Sequence, residues 1–204
     1  MVTTLDIVVP TVRLNLERIS TIINLPVPSG MQVHYFIIVD RDPENATELA
    51  LRLADAQGVS IITNGRTLGG HVSRNKGFEK GSAEYVLFLD DDVIPDSRML
   101  EAYKRAIDEN SSAIGFVGIV KFPRPVNSVT KGVVTSDILT FWDIAKTRPR
   151  IAWGTTANLM VKRDAVSQIR FLTIFPNSGG GEDVDFCLRI VERSGKWFVS
   201  VPNA

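Results

Sequence analysis

Through the first 92 residues, short apolar runs alternate with segments whose apolar residues recur at helical spacing. Leu5 to Val9 is a β-branched run stopped by Pro10, and Val33 to Val39, Val59 to Thr63 and Tyr85 to Leu89 repeat the pattern. Each has the length and composition of a buried strand. Between them, Asn15 to Leu25 reads as a helix closed by the Pro26 and Pro28 loop. Asn45 reads as the N-cap of a second helix with Ala46, Leu49, Ala50 and Leu53 on one face, and Val72 to Gly81 reads as a third. Strands alternating with helices predict an α/β fold with parallel pairing through right-handed crossovers.

After Asp92 the rhythm changes. Pro95-Asp96 opens a helix with Met99, Tyr103 and Ala106 on one side, Ala113 to Phe122 reads as strand, and Pro123 to Lys131 as irregular loop. Thr135 to Lys146 reads as a helix holding Trp142 in the core, and Ala157 to Lys162 as strand. Gly179-Gly180-Gly181 precedes a helix from Glu182 to Arg193 with Val184, Cys187, Leu188 and Val191 as its buried stripe, and Trp197 to Val201 is a last strand. No repeat or low-complexity linker divides the chain, so residues 1–204 read as one domain, with halves 1–92 and 93–204.

Composition narrows the function classes. Lys plus Arg and Asp plus Glu each number 23 in 204 residues, so net charge is zero and no nucleic-acid partner is expected. The single cysteine, Cys187, excludes an internal disulfide framework and suits a reducing compartment. The first residues lack a signal peptide's basic start and apolar run, and no apolar stretch approaches the roughly 20 residues of a membrane helix. The chain therefore reads as cytoplasmic, with peripheral attachment to a membrane left open; nothing indicates its oligomeric state.

In open α/β sheets, ligands sit beyond the carboxyl ends of the strands. Here those ends carry Thr11, Asp40, Asn64 and the run Asp90-Asp91-Asp92. Continued strand alternation would point Asp90 and Asp92 one way and Asp91 the other. Two hard carboxylates beside a crevice suit Mg²⁺ or Mn²⁺, which complete their shells with phosphate and water. The alternative is a solvated acidic turn, disfavoured by mutual repulsion unless a cation is near.

The stretch from Gly69 to Gly77, containing Arg74-Asn75-Lys76-Gly77, followed by Tyr85 to Leu89 and Asp90-Asp91-Asp92, resembles the family 2 glycosyltransferases of GT-A fold. Val8-Val9-Pro10-Thr11 and Val39-Asp40 resemble that family's first two strand ends. The resemblance implies a Rossmann-like, mixed, mostly parallel sheet flanked by helices. It implies a nucleoside-diphosphate sugar as co-substrate, with Pro10, Thr11 and Asp40 meeting the base, Arg74 the base or diphosphate, and Asp90 the ribose. Asp92 would ligate the metal, with Asp90 beside it. Arg13 and Arg66 are further phosphate candidates, and Asp91 has the least defined part.

Gly181-Glu182-Asp183 resembles the family's acidic pair at a helix start. By that resemblance Asp183 is the catalytic base of an inverting displacement, with a glycan, lipid-linked or protein-linked hydroxyl as acceptor. A carboxylate at a helix N-terminus is kept ionised by the dipole, which also makes Glu182, Asp183 and Asp185 ordinary first-turn acids. Trp153 and Gly154 resemble the family's acceptor-side segment, alongside Glu182; His34 and His71 read as structural, and Asp185 and Arg189 as an i,i+4 pair. The family's metal-holding His would follow the last strand, where this sequence stops, so a fragment of a longer chain is expected. A sugar nucleotidylyltransferase, an Asp-x-Asp phosphatase and a non-catalytic nucleotide-sugar-binding module are the competing readings. The turn Pro10-Thr11-Val12-Arg13 lacks the glycine of a triphosphate loop, and the acidic run follows the fourth strand rather than the first.

Overall fold

The computed structural model describes residues 2–53, 56–122, 124–136, 142–175 and 180–204. Four strands of the first half lie parallel: β1 (Thr3–Thr11), β2 (Met31–Val39), β3 (Val59–Thr63) and β4 (Tyr85–Leu89). The helices α1 (Leu16–Ile23), α2 (Pro43–Arg52) and α3 (Gly70–Lys80) connect them. Beyond β4 come α4 (Met99–Glu109), β5 (Gly115–Val117), α5 (Ser128–Thr135) and β6 (Arg150–Ile151). The chain then forms β7 (Asn158–Lys162), α6 (Arg163–Val166), α7 (Glu182–Ser194) and β8 (Phe198–Ser200). The described strands make one mixed sheet in the order β3-β2-β1-β4-β7-β5-β8-β6. β7 runs antiparallel to both β4 and β5, and β5 is parallel to β8. No helix of the described residues is long and apolar enough to cross a membrane.

Strand alternation divides the core between two faces. Leu5, Ile7 and Val9 of β1 join Ile19, Leu49, Leu100 and Tyr103 from α1, α2 and α4. Val8 faces the other way, among Phe78 of α3, Val166 of α6, and Phe186, Cys187 and Ile190 of α7. Phe88 of β4 meets Phe186 edge-on at 6.1 Å and Phe171 at 5.2 Å, while Phe171 and Phe186 stack at 4.0 Å. Such pairs contribute about 0.5–1.5 kcal/mol beyond their buried area. They lock the start of α7 against β4, the strand that leads into Asp90.

Several elements differ from the sequence expectation. β1 runs through Pro10, because pairing to β4 stops at Val8 and the missing N–H leaves no gap in that ladder. α2 begins two residues before Asn45, with Asp42 at the N-cap and Pro43 at the first helical position. β5 keeps only three residues, since Gly118 N–H turns to Asn158 O and Ile119 N–H to Ala204 O. The irregular loop expected over 123–131 gives way to helix: Asn127 and Thr130 form a capping box that starts α5 at Ser128, and α5 ends at Thr135, where the expected helix was to begin. Residues 137–141 of the expected helix lie outside the described ones, and Ile144–Lys146 is a 3-10 turn. On α7 the fully buried residues are Phe186, Cys187 and Ile190, while Leu188 faces solvent.

Candidate functional site

At the carboxyl end of β1, Thr11 donates its hydroxyl to Asp91 Oδ2 at 2.6 Å and accepts the Leu14 N–H at 3.1 Å. Arg13 pairs with Asp91 Oδ1 and reaches Asp92 Oδ2 at 3.2 Å. Asp91 holds the Arg13 guanidinium above its ordinary pKa. β4 ends at Leu89, so the three aspartates sit in a turn, with Val93 N–H donating to Asp90 O, and strand alternation does not reach them. Asp91 is therefore the buried member, 3% exposed, rather than the one turned away from the crevice. All three line one cleft.

The end of β2 is held differently. Asp40 Oδ1 accepts from Asn64 Nδ2 at 2.7 Å and Leu68 N–H at 2.8 Å, and Oδ2 accepts the Gly69 N–H at 2.8 Å. Gly69 has φ +100°, a backbone that disfavours any side chain, so Asp40 and Gly69 together place the start of α3. His34 bonds Ser60 Oγ and His71 is buried, which fits the structural part expected of both.

α3 carries the Arg74-Asn75-Lys76-Gly77 segment, and each of its functional positions has a physical task. Arg74, nearly buried, pairs with Asp90 Oδ1 at 2.7 Å and with Glu182 Oε1 at 3.5 Å. A Cβ on Gly70 would stand 3.0 Å from Arg74 Nη1, so the glycine leaves room for the guanidinium. Asn75 clamps the Phe171 backbone by two bonds of 2.8 Å. Gly77 lies directly on Val8: a Cβ there would meet Val8 Cγ1 at 2.3 Å.

The cleft has a volume of about 220 Å³ and is lined by Pro10, Thr11, Val12, Arg13, Asp40, Gly70, Asp90, Asp91 and Asp92. Val12 and Gly70 were not foreseen; Val12 lies between the expected Thr11 and Arg13, and Gly70 opens the helix that carries Arg74. Arg74 stands behind Asp90 rather than in the lining, and Arg66 is exposed away from it. A larger cleft, about 370 Å³, opens at Phe78, Arg163 and Arg170. There Arg163 donates to the carbonyls of Phe78 and Ala83 and to Asp6, and its desolvation lowers its pKa. Its donors serve the fold, so size does not identify the site; chemistry does.

The start of α7 is the second acidic position. Gly180 and Gly181 take φ +72° and +100°, and Asp183 Oδ1 accepts the Val184 N–H at 2.9 Å. Burial pushes the Asp183 carboxyl up, the Val184 amide opposes this, Glu182 adds to it and Arg74 counters it; the net direction is upward. Glu182 Oε2 is buried and has no hydrogen-bond partner among the described residues. Arg74 thus joins the Asp90 cluster to the Glu182-Asp183 pair, a link across three elements that no local sequence signal announces. Asp185 bonds Arg189 at 2.5 and 2.9 Å, as the spacing implied. Cys187 is buried, its thiol pushed up to about 12 by desolvation, which suits packing rather than nucleophilic chemistry.

Trp153 packs, half-buried, on the core face of Val8 and Phe88. A Cβ on Gly154 would fall 2.5 Å from Val117 Cγ1, so this segment lies tightly against β5. Neither residue lines the cleft, nor does Glu182.

The donor set fits a hard divalent cation. Mg²⁺ and Mn²⁺ commonly use one or two carboxylates and take their remaining ligands from phosphate and water. Asp90 and Asp92 provide two such groups at the cleft, Asp92 being 57% exposed. Among the described residues no cluster of three or more His, Cys, Asp or Glu surrounds a common point, so Asp90 and Asp92 are the carboxylates that the described residues offer there.

Residues 14–170 match the model of glycosyl transferase family 2. No curated protein matches the chain in sequence. Among solved structures, S. aureus TarS 1-349 superposes with TM-score 0.69 at 14% identity, covering 97% of this chain and 58% of that one. Its complex with UDP-GlcNAc gives 0.67 at 15% identity, with 97% and 56% covered. The mannosyltransferase PcManGT from Pyrobaculum calidifontis, in complex with GDP-Man and Mn²⁺, gives 0.71 at 16% identity, with 100% and 56% covered. This chain thus spans somewhat more than half the length of those proteins, and at such identities the likeness is one of fold. The family match spans α3 and the whole acidic run, and on that match the chain belongs to the family 2 glycosyltransferases.

Proposed function

We propose that residues 1–204 form the catalytic domain of a longer inverting glycosyltransferase, with a nucleotide half to about residue 92 and an acceptor half behind it. The observation that carries this reading is the cleft at the ends of β1, β2 and β4, joined through Arg74 to Glu182 and Asp183. The donor is a nucleoside-diphosphate sugar. Its base lies against Pro10, Thr11 and Asp40, its ribose near Asp90, and Arg13 and Arg74 supply positive charge toward the diphosphate. Asp90 and Asp92 would hold Mn²⁺ or Mg²⁺, which when bound neutralises charge on the diphosphate leaving group.

Asp183 is the proton acceptor. It takes the proton of an acceptor hydroxyl while that oxygen bonds to the anomeric carbon. The bond from that carbon to the diphosphate oxygen breaks, and the nucleoside diphosphate leaves with its electron pair. One displacement inverts the anomeric configuration. The upward-shifted carboxyl of Asp183 is a stronger base than an exposed aspartate, as the role requires.

Uridine is the favoured base. A carboxylate has about four acceptor positions, and Asp40 already uses three on the protein, leaving one. Uracil and thymine present one ring N–H, whereas guanine presents two adjacent donors. Calorimetric titration with UDP, GDP and TDP, with and without Mn²⁺, tests the reading. UDP is expected to bind in a metal-dependent way; absence of binding by all three would refute it.

A further inference from the structure

Charge is unevenly spread over this neutral chain. Residues 110–150 hold six of its 23 cations but two of its 23 carboxylates, a net of +4, leaving 17 and 21 for the rest. The stretch leaves the sheet at the carboxyl end of β5. Because β4 and β5 are both antiparallel to β7, this is the same edge that carries Asp90 to Asp92. Its root is tied down: Val120 N–H donates to Trp142 O at 2.8 Å, and Phe122 meets the Trp142 ring edge-on at 5.3 Å.

Beyond that root, α5 stands clear of the body. None of its residues is buried, and Val126 and Val129 are 87% and 75% exposed. Val129 and Val133 stand at i and i+4 on one face of α5, and Val126 is exposed just before its N-cap Asn127. Eight residues, mostly β-branched and with Gly132 among them, do not hold a helix in water by propensity alone. Lys121, Arg124, Lys131, Arg148 and Arg150 are exposed, and among the described residues none of them joins an ion pair. Among the described residues, the segment therefore presents exposed valines together with positive charge that no carboxylate pairs.

We propose that this projection docks on an anionic lipid surface. The valines enter the headgroup boundary and the cations face the lipid phosphates, the arrangement by which short cationic helices lie in a membrane interface. A soluble polyanion would meet the cations and leave the valines in water. A neutral apolar partner would do the reverse. Docking of this kind turns the sheet edge bearing the acidic cleft toward the membrane, and does not depend on the transfer chemistry.

Cosedimentation of the full chain with phosphatidylcholine vesicles, with and without phosphatidylglycerol, tests this. Binding is expected only with phosphatidylglycerol, and high salt should reverse it. A cation near an anionic leaflet contributes about fivefold in partitioning, so the triple change Lys121→Ser, Arg124→Ser, Lys131→Ser should weaken binding about a hundredfold. Val126→Ser, Val129→Ser and Val133→Ser together should weaken it about tenfold or more while circular dichroism stays unchanged. No binding to phosphatidylglycerol vesicles, or equal binding to pure phosphatidylcholine, overturns the proposal. So does unchanged binding by the valine variant, which would mark a surface for soluble polyanions.

Discussion

Gly77→Ala isolates how closely α3 must approach the sheet. Two opposing terms are readable from the structure. Alanine in a helix interior is favoured over glycine by about 1 kcal/mol. Against that, the new methyl would lie 2.3 Å from Val8 Cγ1 and 2.9 Å from Cγ2. Val8 is fully buried, and as a β-branched residue in a central strand it has no free rotamer to turn into. Overpacking of this sort costs about 1–3 kcal/mol, so a net loss of up to about 2 kcal/mol is expected. In a chain of this size that lowers Tm by up to about 8 °C. Urea denaturation of Gly77→Ala, in the native background and in Val8→Ala, decides the cause. Removing both Val8 methyls relieves the two shortest contacts, so in that background the alanine should be neutral or stabilising. Should Gly77→Ala stabilise the native protein, or cost the same in both backgrounds, the close-packing explanation of this glycine is wrong. Arg74 lies one turn earlier on α3, so the same displacement should also weaken nucleotide binding.

Two further outcomes follow from the carboxylates. Asp40→Asn turns an NH₂ toward the Gly69 N–H and loses charge-assisted bonds, so it should destabilise by about 2–3 kcal/mol in urea denaturation; a change within about 0.5 kcal/mol would show the loop is held otherwise. Asp183→Asn should keep donor binding and lose transfer, and its Tm carries a definite sign. The folded carboxyl sits above its ordinary value of 3.8, so its contribution to stability is full below that pH and is lost as pH rises through the folded pKa. The asparagine variant should therefore melt higher than the native protein at neutral pH, with the gap closing toward acid; a lower Tm at neutral pH would mean the helix dipole outweighs burial.

The first half of the fold was legible because each strand there is a mostly apolar run, ending at Thr11 or just before Asp40, Asn64 or Asp90, and pairs with parallel neighbours of the same kind. β5, β6 and β8 span only three, two and three residues. Their ends are set by cross-chain bonds such as Gly118 N–H to Asn158 O, which no local periodicity records. The site followed the same division. Thr11, Asp40 and the aspartate run could be placed because strand ends are legible. The burial of Asp91 could not, since alternation ceases with Leu89 and the turn obeys the Thr11 and Arg13 contacts instead. Nor could the reach of Arg74 to Glu182, two residues brought together only when α3 and α7 pack on the same face as Val8.

Those contacts also divide the labour within the acidic run. Four carboxylates line the cleft: Asp40, Asp90, Asp91 and Asp92. Two guanidiniums meet them, Arg13 at Asp91 and Asp92 and Arg74 at Asp90, leaving a formal charge of −2. Asp91 has spent both oxygens on Thr11 and Arg13, and Asp40 has spent three bonds on the α3 loop. These two are framework, and their charge is fixed in place whether or not a donor is bound. The adjustable pair is Asp90 and Asp92, each held by one arginine and partly open to water. A diphosphate entering alone would add negative charge to a cleft already short of cations. One divalent ion would match the deficit of two, so under the proposed function the charge balance of the cleft favours a donor that enters together with a metal.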